Sequence, residues 1–190
     1  MLVPLRLMPG PKTYYNPVNG EYTRILESSE DTNGAYSLLE VSLSPGGGNL
    51  VHYHTRFTEE FTAVTGNLGL RYEKEIVHLK PGESKLVPIG TPHRFFNDTA
   101  EAIVFRVVLR PGQPGFENFL KVMFGLVNDG KTITKNQIPK NIYHIAVLYE
   151  WGDTHLASQF FRLFSPMVTL FYKGAIRMGV DKELLERYAK

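Results

Sequence analysis

The stretch from Gly46 to Gly66, GGGNLVHYHTRFTEEFTAVTG, sets two histidines one residue apart with two glutamates shortly behind them. His52 and His54 stand at i and i+2, so on a strand both imidazoles project from one face. Two neutral imidazoles one pleat apart can share a metal ion. A carboxylate from Glu59 or Glu60 would complete a nitrogen-and-oxygen ligand set of the kind found at non-haem iron and several other divalent metals. Strand alternation sends these two glutamates to opposite faces, so only one of them can join. The same residues would also serve as polar positions on a strand face, and the pair alone does not separate the two readings.

A second stretch, GESKLVPIGTPHRFFN from Gly82 to Asn97, ends a strand in Pro88-Ile89-Gly90-Thr91-Pro92. Proline fixes φ and glycine permits conformations that other residues resist, so this is a stiff turn that delivers His93. By itself it reads as a proline-rich corner with a solvated histidine.

The elements around these stretches are strands. Leu39, Val41 and Leu43 alternate with polar residues, the period of a half-buried strand. Asn33-Gly34 signals a hairpin between EYTRILES and AYSLLEVSLS. Short runs follow (FTAVT, LGLRYE, IVHLK, SKLVP and AIVFRVVLR), punctuated by Gly66-Asn67, the EKE turn, Pro81-Gly82 and Asn97-Asp98. Regularly spaced short strands of this kind predict an all-β sandwich or barrel.

Past Pro111-Gly112 the period changes. Phe116, Phe119, Leu120, Met123, Phe124 and Val127 form one helical stripe, which Asn128-Asp129-Gly130 ends. A second helix is predicted over about 139–151. A third is predicted to start at Asp153-Thr154 as N-cap, carrying Leu156, Phe160, Leu163 and Phe164. Ser165-Pro166 reads as a further cap with proline at the first helical position, and a short last helix follows Asp181. The organisation expected is an N-terminal extension over 1–19, a β-barrel over 20–112 and a helical extension over 113–190, packed on the barrel or on a second subunit.

Composition narrows the function classes. The 190 residues are 43% hydrophobic and 12% aromatic, enough for one well-cored domain. Lys and Arg total 21 against 19 acidic residues, a balance with no footprint for nucleic acid or an anionic membrane. There is no cysteine, which excludes disulfides, thiolate metal sites and cysteine nucleophiles. The N-terminal apolar run is broken by Pro4 and Arg6 and does not read as a signal peptide; a cytoplasmic protein without membrane association is expected. No serine sits in a nucleophile elbow, and Gly46–Gly48 is not a phosphate loop, since no Lys-Ser/Thr follows it.

Taken together, the two stretches resemble the paired motifs of the cupin superfamily. Gly46, His52, His54, Glu59 and Gly66 stand at the spacings of the first motif, and Gly82, Pro88, Gly90, His93 and Asn97 at those of the second, with no departure. The resemblance covers about 20–111. It implies a double-stranded antiparallel β-helix, the jelly-roll barrel, with the helical extension outside it. It also implies a metal site made by His52, His54, Glu59 and His93, because the closing Gly66 fits Glu59 and not Glu60. The implied cofactor is one divalent transition metal (Fe, Mn, Ni, Cu or Zn), with one or two coordination positions open. A metal-dependent, dioxygenase-like enzyme acting on a small, largely apolar molecule is the leading expectation, with Glu59 as the candidate catalytic base. The alternative is a non-catalytic binding or sensor protein. A homodimer is expected, as proteins of this superfamily commonly pair through their sheets.

Parity suggests the pocket. Leu50 is expected inward with His52 and His54; Phe61 and Ala63 with Glu59; Leu68, Leu70 and Tyr72 on the next strand; Phe95 with His93; and Ile103, Phe105, Val107 and Leu109 on the last. Phe61, Tyr72, Phe95 and Phe105 are the candidate substrate-binding residues. His78 is expected on the exterior, and His144 and His155 as polar positions or caps in the tail.

Overall fold

The computed structural model describes residues 12–133, 137–156 and 159–190, with the side chains of 159–166 outside that description. In chain order the elements are β1 (Thr13–Asn16), β2 (Glu21–Glu27), β3 (Ser37–Leu43), β4 (His52–Tyr53), β5 (Thr58–Thr65), β6 (Leu68–Tyr72), β7 (Glu75–Leu79), β8 (Ser84–Val87), β9 (His93–Phe96) and β10 (Ile103–Arg110). The remainder is α1 (Pro114–Asn128), β11 (Thr132–Ile133), β12 (Ile138–Pro139), α2 (Ile142–Gly152), β13 (His155–Leu156), α3 (Gln159–Arg177) and α4 (Val180–Tyr188).

The alternating segments became strands because one face of each could be buried. In β3, Ser37, Leu39, Val41 and Leu43 are buried while the residues between them are partly open. In β10, Ile103, Phe105, Val107 and Leu109 point inward, with Arg106 and Arg110 on the exposed face. These strands build a six-stranded antiparallel sheet in the order β1-β2-β3-β10-β5-β8. A second sheet runs β13-β4-β9-β6-β7. The two share one core, in which Phe61, Phe105, Leu109 and Val87 meet Leu68, Leu70 and Leu79. This is the expected double-stranded antiparallel β-helix of jelly-roll type with a C-terminal helical extension.

Helix α1 is buried on two faces, not one. Phe116, Leu120 and Phe124 enter the β core, with Phe119 and Met123 packed against it. Val122 and Leu126, outside the predicted stripe, pack instead on Val147 and Leu148 of α2, Ala175 of α3 and Leu184 of α4. The extension thus has a small core of its own on the outer side of α1.

Three local expectations are corrected. The third helix does not start at Asp153-Thr154: Asp153 adopts a left-handed conformation (φ 46°, ψ 33°) as the C-cap of α2, and α3 starts at Gln159. Leu156 lies in β13, paired with β4, while the side chains of Phe160, Leu163 and Phe164 lie outside the described residues. Ser165-Pro166 starts no new helix, since α3 runs through it. Leu50 is 55% exposed and outside the core, because β4 begins at His52 and strand parity does not reach back to it, although it still lines the cavity beside His52.

Candidate metal centre

Each member of the predicted ligand set arrives on a different device. His52 and His93 are register partners across β4 and β9, which sets their imidazoles side by side. His54 follows on the same face, past Tyr53. Its backbone is pinned by the second motif, since the Gly90 N–H donates to the His54 carbonyl at 2.7 Å. Gly90 makes that approach with φ +78°, a conformation that disfavours residues with a Cβ. Glu59 comes from β5 in the other sheet. An ion among these four residues would therefore tie the two sheets together.

All four side chains are buried, none more than 6% exposed. Their ligand atoms lie within 4.8 Å of one another. His52 Nε2 is 3.1 Å from His54 Nε2, and Glu59 Oε2 is 2.6 Å from His93 Nε2 and 3.3 Å from His54 Nε2. Metal bonds of about 2.1 Å put neighbouring donors roughly 3–3.5 Å apart, so the cluster has the size of a coordination shell.

The opposite ring nitrogens show how this array is oriented. Nδ1 of His52 donates to the Leu50 carbonyl (2.8 Å), Nδ1 of His93 to that of Thr91 (2.9 Å) and Nδ1 of His54 to that of Asp153 (2.9 Å). Each of these bonds fixes the tautomer that carries its proton on Nδ1, leaving a lone pair on Nε2. Three lone pairs and a carboxylate then face one buried point, and only a cation, metal or proton, satisfies them together. The residues fit one divalent metal.

The electrostatics agree. Burial, followed by the neighbouring His54 and His93, pushes His52 down to about 3, so it stays neutral and able to ligate through the acid range. Burial would raise Glu59, but the charges and hydrogen bonds of His54 and His93 outweigh it and hold the carboxyl well below its ordinary value. Burial likewise opposes protonation of His93, and the hydrogen bond and charge of Glu59 overcome it, raising its affinity for a proton. Protons and metal therefore compete for the same atoms.

A cavity of about 500 Å³ opens beside the cluster, and His52 and Glu59 lie in its wall. Helix α1 supplies the aromatic side of that wall through Phe116, Phe119 and Phe124. Of the four predicted substrate-binding residues, Phe95 lines the cavity. Phe61 and Phe105 are almost wholly buried in the core next to it, with ring centroids 6.3 and 5.1 Å from that of Phe95. Tyr72 pairs with His93 across β6 and β9 and lies under the Lys85 ammonium at 4.4 Å. Glu60 sits on the opposite face of β5 from Glu59, partly open. His78 is exposed and pairs with Asp98 at 2.9 Å. His144 is half-buried in α2, outside the cavity wall.

Asp153 is the residue that sequence reasoning misassigned. Its carboxylate accepts from the Thr55 and Arg56 amides (2.6 and 2.7 Å), from Thr55 Oγ1 (2.7 Å) and from His155 Nε2 (2.8 Å). His155 receives a hydrogen bond on Nδ1 from the Tyr149 hydroxyl at 2.6 Å. These bonds lock the loop after His54 against the C-terminus of α2, and the carbonyl of the same Asp153 orients the His54 ring. Only the pairing of an Asp with a nearby His in the tail hinted at this.

Comparison with known proteins places the domain. The family model for the cupin domain matches residues 39–109. Among solved structures, the chain is similar to a sugar phosphate isomerase of the cupin superfamily from Silicibacter pomeroyi, with 23% identity over 53% of this chain and 71% of that one and a TM-score of 0.47. It is similar to the polyketide cyclase RemF from Streptomyces resistomycificus, with 24% identity, 60% and 82% coverage and a TM-score of 0.48. A predicted oxalate decarboxylase from Thermotoga maritima gives 21% identity, 58% and 99% coverage and a TM-score of 0.49. No curated protein matches the sequence. Both motifs are complete, the family model spans them and the fold is the two-sheet jelly roll: residues 39–109 match a cupin domain, extended among the described residues by four helices.

Proposed function

We propose that this protein is a metal-dependent, dioxygenase-like enzyme acting on a small, largely apolar organic molecule, with His52, His54, Glu59 and His93 as the metal ligands. The observation that carries the reading is the opening of the four-residue cluster onto a cavity walled by aromatic side chains. Iron, manganese, nickel, copper or zinc, when bound, would supply a Lewis acid with positions open to a small ligand. The chain's own contribution is positional. Three carbonyls hold the imidazoles in one tautomer. The ionised Glu59 offers an anionic ligand at the cavity wall. Phe95, Phe116 and Phe119 exclude water and favour an apolar ligand. Oxygen consumption by metal-loaded protein with a panel of flavonols, catechols and thiol acids tests this; no metal-dependent uptake with any of them contradicts it.

A second reading, a non-catalytic small-molecule sensor, is favoured by the Asp153–His54 bond, through which the helical extension touches the centre. It predicts slower hydrogen exchange in α2 on ligand binding, without turnover. In either reading we take the protein to be a cytoplasmic homodimer. Support for the dimer comes from Met167 and Leu170 on α3 and Met178 just past its end, all exposed. Among the described residues no helix is long and apolar enough to cross a membrane.

A further inference from the structure

The cavity has a second polar end, and none of the motif residues makes it. Glu21 opens β2 and faces inward, because the strand buries Glu21 and Thr23 while Tyr22 and Arg24 are exposed. It is only 6% exposed and lines the cavity together with Asn19. Register places it far from the metal cluster. Glu21 pairs with Leu43 and Leu43 with Ile103, whereas Glu59 pairs with Leu109 of the same strand β10. Six residues of β10 separate the two levels, about 20 Å along the strand.

This end offers hydrogen-bond acceptors and, among the described residues, no cation paired with them. Glu21 Oε1 accepts from Thr23 Oγ1 and Oε2 from Asn19 Nδ2, both at 2.9 Å. The latter bond fixes the sense of the Asn19 amide, since the reverse would set oxygen against oxygen. Asn19 Oδ1 is then left buried with no hydrogen-bond partner. Glu21 has no ion pair among the described residues. Among the described residues of the cavity wall the cationic one is Arg94, whose guanidinium lies over the Phe96 ring at 5.1 Å. A buried carboxylate without a counter-charge is costly, and so is a buried unpaired carbonyl. Burial accordingly raises the Glu21 pKa above its ordinary value, against the pull of Thr23 and Asn19.

We propose that this pole binds the primary ammonium group of an apolar amine, whose hydrocarbon or aromatic body lies along the α1 wall. An ammonium carries three donors and one positive charge; the pole holds the two carboxylate oxygens of Glu21, the buried Asn19 Oδ1 beside them and, among the described residues, no ion-pair partner for the carboxylate. A hydroxyl would supply one donor and no charge. The inference narrows the substrate class of the proposed enzyme and shares its cavity, but the ammonium contacts themselves need no metal.

The test is calorimetric titration with phenylbutylamine and its neutral isostere phenylbutanol, at neutral pH, on wild type, Glu21→Gln, Asn19→Ala and His54→Ala. The amine should bind wild type about tenfold or more tighter than the alcohol, the size of a charge-assisted hydrogen bond. Glu21→Gln should erase that preference, and Asn19→Ala, which keeps the carboxylate, should reduce it. His54→Ala should leave it intact, so loss of the metal reading and loss of this one are distinguishable. Equal binding of amine and alcohol to wild type, binding of neither, or a preference that survives both Glu21→Gln and Asn19→Ala overturns the proposal.

Discussion

The main-chain carbonyl of Asp153 accepts the Nδ1–H of His54 at 2.9 Å, across 99 residues of sequence. The contact makes the helical extension part of the support of the candidate metal centre. The carboxylate of the same residue, 4% exposed, ties down Thr55 and Arg56, so ring orientation and loop position are fixed together.

Asp153→Ala keeps the main-chain carbonyl that orients His54 but frees the loop that sets its position, so it should weaken metal binding by about tenfold, the low end of what a disturbed supporting hydrogen bond at a metal-bound histidine costs. It should also cost about 1–3 kcal/mol of stability, from amide donors left without partners. Cobalt titration followed by absorbance reads the first, and urea denaturation of the metal-free protein the second. Metal affinity unchanged in a destabilised variant would reduce Asp153 to a structural cap.

How much of this could be read in advance depended on distance along the chain. The strands were legible because alternation in Leu39–Leu43 and Ile103–Leu109 is a local pattern that burial enforces. The cluster was legible because both motif stretches are short, and Gly46, Gly66, Gly82 and Gly90 mark their turns. The supporting carbonyls of Leu50 and Thr91 lie two residues from their histidines, yet backbone acceptors leave no mark on side-chain identity. Asp153 looked like a helix cap because Asp favours that role; its true partners, Thr55 and Arg56, are about a hundred residues away. Val122 and Leu126 fell off the predicted stripe because a helix buried on two faces lacks a single periodic signal.

Phe116 is 9% exposed, with its ring centroid 5.4 Å from that of Phe57 and 5.7 Å from that of His54. Phe116→Ala removes the aromatic of the α1 wall that packs on His54 and Phe57 and should cost about 3–5 kcal/mol. Urea denaturation measures it. A loss below about 1 kcal/mol would mean that α1 is only loosely docked on the β core.

The Glu21 carboxyl carries a raised pKa, chiefly through burial. A carboxyl raised in the folded state binds more protons folded than unfolded between the ordinary value of 4.5 and its folded value. Its contribution to stability therefore grows as pH falls through that window and is complete below it. Glu21→Gln, which mimics the protonated acid, should melt higher than wild type at neutral pH, with the difference shrinking towards pH 4.5. Thermal melts of ligand-free protein across this range check the sign; a variant that melts lower at neutral pH would contradict it.

Leu170 is 68% exposed on α3, with Met167 one turn before it. If this face pairs two chains, wild type should have a dimer's mass in light scattering and Leu170→Glu a monomer's. A monomeric wild type removes the dimer from the proposal.

The central claim is that His52, His54, Glu59 and His93 hold one metal ion. Elemental analysis of purified wild type beside His54→Ala, both after reconstitution with metal, tests it most directly. The account predicts about one equivalent of a divalent transition metal in wild type and little in the variant. A wild type that stays empty, or a variant that binds as much, would contradict it.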